Sequence, residues 1–272
     1  MARPTSPAIN MNIGGWNQNP TWEHFSSLVQ ATTDGVAAPN RTVRFHHVKA
    51  ALYAAIGTIE SFLNTTMHGH LKAQGLDADA IREHVRKPTF AQKVKKWPTE
   101  LAGAKVETPD ETLAAIFGWQ KLRDEVTHPK VDHSLYEQLA AVRLETMRLT
   151  VAEFIVRLLE ARREIYPYWL LGWNFITGPE HDEPKLIANQ QFIFALGDLG
   201  FDVPGPAAHA MEQWEAHFMT SLDGYHALDQ ALQSIDHCEP REPQFRFAPR
   251  LCRKWWDPAH TTVCGDPPAS EP

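Results

Sequence analysis

The chain has 272 residues, a formal net charge of −7 and 43% hydrophobic residues, which is the composition of an ordinary folded protein. These values exclude disordered, collagen-like and coiled-coil chains, and the length exceeds that of small disulfide-stapled scaffolds. No apolar run is long enough to span a bilayer, and the first residues lack the apolar stretch of a signal peptide, so we predict a cytoplasmic protein without a membrane segment.

The charge is unevenly distributed. Residues 41 to 165 carry 19 Lys and Arg against 16 Asp and Glu, whereas residues 166 to 272 carry 6 against 15. This asymmetry indicates a first part able to meet a polyanion and a second part suited to solubility or to a basic partner.

The first 40 residues are rich in Pro, Asn, Gly and Thr and have no sustained periodicity. We predict a partly ordered N-terminal arm with at most one short helix, near Trp22 to Gln30. From Val43 to Leu71, apolar residues recur at steps of three and four, which predicts a long helix that buries one face.

Three further helical regions are predicted before residue 166. The stretch from Asp77 to Ala102 is interrupted and predicts short helices. Thr108 as the cap, followed by Pro109 at the first helical position, predicts a helix that ends at His128 because Pro129 follows. A fourth helix is predicted from Leu135 to about Ile165.

Two more helices are predicted in the second part, from Pro184 to Leu199 and from Pro206 to Ile235, with Gly224 interrupting the latter. Long amphipathic helices joined by short turns are typical of an all-α antiparallel helical bundle. We place this bundle at residues 41 to 165 and assign residues 166 to 272 to a C-terminal helical extension with an irregular tail.

The most informative local pattern is Arg123 followed by His128 at the end of the third long helix. A guanidinium can bind a phosphate with two hydrogen bonds, and an imidazole can take and give a proton near neutral pH. The pair could therefore support RNA cleavage without a metal. The alternative, a surface arginine and a capping histidine, is the commoner origin of such a spacing.

Three segments in order resemble the HEPN superfamily of helical-bundle domains: residues 59 to 64 (IESFLN), 90 to 98 (FAQKVKKWP) and 122 to 130 (LRDEVTHPK). Many members are metal-independent endoribonucleases that act as homodimers, through a motif of Arg, a polar residue, three or more residues and His. Such enzymes occur in stress, antiviral defence and toxin systems.

The resemblance implies that Arg123 and His128 are catalytic and that Asp124 orients them. It also implies tRNA or mRNA as the substrate, cleavage by the 2′-hydroxyl, a homodimer, no cofactor, and an antitoxin or regulatory partner. Other members have lost activity, so the alternative is an inactive module that binds a nucleotide or a protein. A purely structural helical protein is a third interpretation.

Glu60 and Asn64 lie one turn apart on the first long helix and border its apolar stripe. If they face inward, Glu60 requires a partner, and Arg123 could be that partner, positioned by the carboxylate. The alternative is that both residues make only local contacts on the helix surface.

Residues 82 to 105 carry seven Lys and Arg against two Glu. If this segment lines the cleft, Lys93, Lys95 and Lys96, together with Lys130, would hold the RNA backbone. The alternative is a solvated helix face.

The C-terminal tail contains five Cys and His residues, of which three thiolates and an imidazole could form a tetrahedral zinc site: His237, Cys238, Cys252, His260 and Cys264. Their spacing lacks a Cys-x-x-Cys pair, so unpaired thiols are the favoured interpretation and we predict no metal.

Overall fold

In the computed structural model, which describes residues 20–128, 134–171 and 208–235, the regular structure is entirely helical. This confirms the predicted all-α class. The helices are α1 (Pro20–Val36), α2 (Arg41–Ala73), α3 (Ala78–Arg86), α4 (Phe90–Ala102), α5 (Asp110–Thr127), α6 (Leu135–Ala141), α7 (Leu144–Arg162), a short 3₁₀ helix (Tyr168–Leu171), α8 (Ala208–Phe218) and α9 (Leu222–Ile235). Among these residues, no helix combines the length and the apolar character needed to cross a bilayer.

Helix α2 is the central element, and α1, α3, α4, α5, α6 and α7 all pack against it. The side chain of Asn40 caps its start by accepting a hydrogen bond from the Val43 amide at 3.0 Å. The predicted stripe is buried, with Leu52, Ile59 and Leu63 fully inaccessible. The structure thus confirms the predicted long helix and extends it by about one half-turn at each end.

Helix α1 has 17 residues and is longer than the short helix predicted for the N-terminal arm. It makes its most extensive contact with α2, and Phe25, Leu28 and Val29 are buried there. The hydroxyl of buried Thr32 donates to the backbone oxygen of Leu28 at 2.9 Å, so this polar group is satisfied. Packing against α2, rather than local composition, accounts for the extra length.

The start of α5 differs from the prediction. The first helical residue is Asp110, and Pro109 occupies the capping position without a side-chain hydrogen bond, so Thr108 is not the cap. Asp110 and Glu111 in the first turn complement the positive end of the helix dipole instead. The end at His128 is as predicted.

The predicted fourth helix is two helices, because the chain leaves helical geometry at Val142 and Arg143. The guanidinium of Arg44 donates to the Val142 oxygen at 2.7 Å. This contact from α2 satisfies a carbonyl that the break exposes. The break also allows Leu139 and Leu144 to be buried on both sides of it.

A second predicted helix, from Pro206 to Ile235, is also two helices in the structure, α8 and α9. The break between them falls at residues 219 to 221, and Gly224 lies inside α9 rather than interrupting it. A Cβ at Gly224 would lie 2.2 Å from the Phe218 oxygen, so only glycine permits this close turn. Arg148 on α7 pairs with buried Asp229 at 3.0 Å and thereby ties α9 to the bundle. The predicted helix from Pro184 to Leu199 lies outside the described residues.

Candidate functional site

The C-terminal end of α5 presents an arginine and an aspartate side by side. Both Nε and Nη2 of Arg123 donate to Oδ1 of Asp124, at 3.0 and 2.7 Å. The Arg123 side chain is 24% exposed and that of Asp124 is 53% exposed. Nη1 of Arg123 forms no hydrogen bond with any residue that the structure describes. Within the described chain the guanidinium therefore keeps donors for an anion, while one edge is held by its neighbour.

His128 occupies the C-cap of α5, where the chain turns out of helical geometry. Its backbone N–H still donates to the Asp124 oxygen at 2.9 Å, whereas its side chain is exposed. This position confirms the prediction that the histidine lies where the helix ends. An exposed imidazole five residues after an arginine is free to contact a ligand on the same end of the bundle.

Tyr53 is a site residue that the sequence reasoning missed. Its hydroxyl lies 2.6 Å from Oγ1 of Thr127, and Oγ1 in turn donates to the Arg123 oxygen at 2.8 Å. Because Thr127 has a single hydroxyl hydrogen, Tyr53 is the donor in the first of these bonds. These two hydrogen bonds connect the last turn of α5 to α2. The only sequence signal was an aromatic residue off the buried stripe of α2.

The buried position of Lys93 contradicts the expectation that this lysine holds the RNA backbone. It is 4% exposed, and its ammonium donates to Oε1 of Glu60 at 3.0 Å and to Oδ1 of Asn64 at 2.9 Å. Its Nζ also lies 5.3 Å from the centre of the Trp97 ring. A buried ammonium requires such partners, so this lysine stabilises the contact between α2 and α4 and cannot reach a nucleic acid.

The same contacts change the role of Glu60. The carboxylate and Asn64 do act together, as their spacing suggested, but the cation they share is Lys93. The suggested ion pair of Glu60 with Arg123 does not form within the described chain, where Arg123 pairs with Asp124. We call Lys93, Glu60 and Asn64 the buried polar cluster.

Lys95 and Lys96 differ from Lys93 in being exposed. Nζ of Lys95 lies 5.1 Å from the centre of the Phe117 ring on α5. Phe117 precedes Arg123 by six residues, which corresponds to about 9 Å along the helix. Lys95 is therefore available to a ligand near α5, Lys96 is exposed beside it on α4, and Lys130 lies outside the described residues.

In the described ranges, no group of three or more His, Cys, Asp or Glu side chains could hold a metal ion. The tail residues considered for zinc lie beyond these ranges: His237, Cys238, Cys252, His260 and Cys264.

One exposed end of the bundle thus gathers Arg123, Asp124, His128 and Tyr53, which we call the α5 terminus. It supplies a cation for a phosphate, a group that transfers protons, and a carboxylate that competes for the cation. The chain matches no protein-family model, no curated protein and no solved structure.

Proposed function

We propose that this protein is a metal-independent endoribonuclease that cleaves RNA by attack of the 2′-hydroxyl. The observation that carries the proposal is the exposed α5 terminus, where Arg123 retains donors without a partner among the described residues and His128 lies at the end of the helix. The resemblance of this segment to the HEPN motif supports the same assignment.

In the proposed reaction, a base removes the proton of a 2′-hydroxyl, and the resulting oxygen attacks the adjacent phosphorus. The bond from phosphorus to the 5′-oxygen breaks, and an acid protonates that oxygen. The products are a 2′,3′-cyclic phosphate and a 5′-hydroxyl. Arg123 stabilises the charge that develops on the phosphate oxygens, and His128 transfers the proton.

A homodimer completes this scheme. One His128 per chain can serve as the base, but the departing oxygen also needs an acid. If two copies meet at their α5 termini, the histidine of the second protomer fills that role. The exposed position of His128 is compatible with such an arrangement.

Asp124 controls access to Arg123 in this proposal. In the free protein its carboxylate occupies one edge of the guanidinium, at 2.7 Å from Nη2. An incoming phosphate takes over part of that edge, and Asp124 then orients the arginine from the side. Exposed ion pairs contribute only about 0–1 kcal/mol, so a phosphate can displace one.

The direct test is incubation of the purified protein with total tRNA in EDTA, followed by mapping of the fragment ends. The wild type is expected to produce 2′,3′-cyclic phosphate ends, and His128→Ala is expected to lower the rate by at least about 100-fold. His68→Ala is the matched control, because His68 is an exposed histidine on α2. Equal cleavage by wild type and His128→Ala would overturn the assignment.

A second candidate function is a catalytically silent module that binds a nucleotide or a protein partner. It is favoured by the pairing of Arg123 with Asp124, because a guanidinium edge held by its neighbour suits reversible anion binding. In this case the wild type binds RNA or nucleotide but cuts no RNA at any ionic strength. Binding would then depend on Arg123 and be indifferent to His128.

A role as a toxin is tested in cells. Induced expression of the wild type is expected to arrest bacterial growth, whereas His128→Ala at the same protein level is not. Equal growth of the two cultures would argue against a toxin role without affecting the biochemical test.

A further inference from the structure

A row of alternating cationic and aromatic side chains leads along α2 toward the α5 terminus, exposed at Arg41 and Tyr53 and half-buried at Phe45 and Lys49. Its members on α2 are spaced four residues apart, and one further ring comes from α6; they are Arg41, Phe45, Lys49, Tyr53 and Tyr136. We call these five residues the aromatic–basic strip. Tyr53 is 44% exposed and Tyr136 is 56% exposed, so both rings are open to a ligand.

Four of the five strip residues contact one another, and Tyr53 follows Lys49 one helical turn further along α2. Cζ of Arg41 lies 5.2 Å from the centre of the Phe45 ring, and the Phe45 and Tyr136 rings are 5.4 Å apart. Nζ of Lys49 lies 5.9 Å from the centre of the Tyr136 ring. The rings therefore hold the cations at the surface, and the cations keep their charge accessible to a ligand.

The strip carries no acid of its own. No Asp or Glu occurs from residue 35 to residue 59, and this stretch includes Arg41, Arg44 and Lys49. Arg44 donates to the Val142 oxygen and so places a third positive charge beside the strip. Along α2 the local field therefore favours an anionic ligand, whereas α6 contributes one acid, Glu137, next to Tyr136.

The strip ends at the proposed active site. Tyr53 bonds to Thr127, the residue immediately before His128. From Arg41 to Tyr53 the strip extends about 18 Å along α2. A ligand bound along it would reach the α5 terminus without crossing the buried core.

We infer that the aromatic–basic strip binds single-stranded RNA and leads it to the α5 terminus. This inference rests on the proposed ribonuclease function and names the form of its substrate. Exposed ring faces stack on unpaired bases, whereas the bases of a duplex are already stacked on each other. Interleaved cations follow the phosphates at the same time.

The experiment measures binding separately from cleavage. The probe is a short fluorescent 2′-O-methyl oligouridylate, which lacks the free hydroxyl needed for cleavage, and its duplex with a complementary strand is the comparison. In the full-length protein, Tyr136→Leu is expected to weaken binding of the single strand about tenfold, since stacking on one ring contributes a factor of about 5 to 150. Tyr136→Phe, which keeps the ring, is expected to bind within about twofold of wild type.

The charge of the strip is tested with a matched pair of lysines on α2. Lys49→Gln is expected to weaken binding about threefold and to reduce the salt dependence by about 0.7 in the log–log slope. Lys72→Gln removes an exposed lysine about 34 Å away along the helix and is expected to change neither quantity. Thermal unfolding of each variant shows whether a loss of affinity reflects misfolding.

Three outcomes would overturn the inference. Wild-type protein could fail to bind the single strand, it could bind the duplex equally well, or it could bind normally after Tyr136→Leu and Lys49→Gln. A dimer that dissociates in Tyr136→Leu would assign the strip to a second copy of the chain instead. Strip-dependent binding without any cleavage of natural RNA would refute the proposed ribonuclease and leave the strip as an RNA-binding surface.

Discussion

The buried polar cluster and the α5 terminus use similar residue types, yet the structure places them in opposite environments. In the cluster, the ammonium of Lys93 is enclosed and receives two oxygen partners from α2. At the α5 terminus, the guanidinium of Arg123 is partly exposed, and within the described chain its partner is the adjacent Asp124. The difference teaches that burial decides which cation contributes to stability and which one is available for chemistry.

The comparison between the two regions predicts that the largest loss of activity follows from a change at Arg123. Arg123→Met should lower the rate of the proposed RNA cleavage by about 100- to 1000-fold, because the developing charge on the phosphate would lose its stabilising donor. The free energy of unfolding should change by less than about 0.5 kcal/mol, since the side chain contributes little to the core. Cleavage assays in EDTA and urea unfolding measure the two quantities.

Arg86→Met is the control, because Arg86 is an exposed arginine at the end of α3. It should leave the cleavage rate unchanged. If Arg123→Met destabilised the fold enough to account for its loss of cleavage, Arg123 would be structural. The contrast between the two regions would then fail.

The second prediction is the opposite for Lys93: a change there should lower stability and leave activity intact. Lys93→Met should destabilise the fold by about 1–2 kcal/mol, because Glu60 and Asn64 lose their shared partner. The cost stays below that of a fully buried pair, since the Glu60 side chain is 38% exposed and can be hydrated. Urea unfolding gives the change in stability, and the cleavage rate per folded molecule should be that of wild type.

Lys96→Met on the same helix is the matched control, because Lys96 is exposed. It should shift the unfolding free energy by less than about 0.5 kcal/mol. If Lys93→Met is as stable as the control but binds RNA more weakly, Lys93 is a ligand residue after all.

The third prediction concerns the exposed lysines of α4, Lys95 and Lys96. Removal of both charges in the double variant Lys95→Gln, Lys96→Gln should weaken RNA binding by about threefold to tenfold and reduce the salt slope by about 0.7 per lysine. Fluorescence titrations at several salt concentrations measure this. Lys87→Gln, in an exposed pair with Glu83 at 3.0 Å, serves as the control. An equal loss in the control would indicate diffuse attraction and no defined path.

The smallest expected effect is a gain. Asp124→Asn removes a negative charge from the phosphate site and releases Arg123, so affinity for RNA should rise by up to about fivefold, the range of an exposed ion pair. Glu125→Gln alters the neighbouring acid, which lies 3.8 Å from Lys121, and should have no such effect. A fall in activity in Asp124→Asn, with affinity unchanged, would give Asp124 the orienting role that the resemblance implies.

Local patterns predicted several elements well. The apolar stripe predicted α2 to within two residues at each end, since a long one-sided periodicity has no other regular conformation. The proline after His128 correctly predicted the end of α5. Both predictions depend on constraints within a few residues, so they needed no knowledge of the fold.

Long-range contacts decided what local patterns missed. The break between α6 and α7 contains neither Gly nor Pro, and it is stabilised by Arg44, almost 100 residues earlier in the chain. Lys93 looked like the other lysines of its segment, although its partners lie on α2. Tyr53 had no signal as a site residue until the fold brought it to Thr127.

By itself, then, the sequence determined the all-α class, the central helix α2 and the location of His128 at a helix end. These features follow from periodicity and from steric limits on neighbouring residues. Only the tertiary structure decided which of these polar side chains are buried. It places Lys93 inside and leaves Arg123 and His128 at the surface. The physical reason is that the environment of a charge is set by the helices that pack around it, and that packing joins residues far apart in the chain.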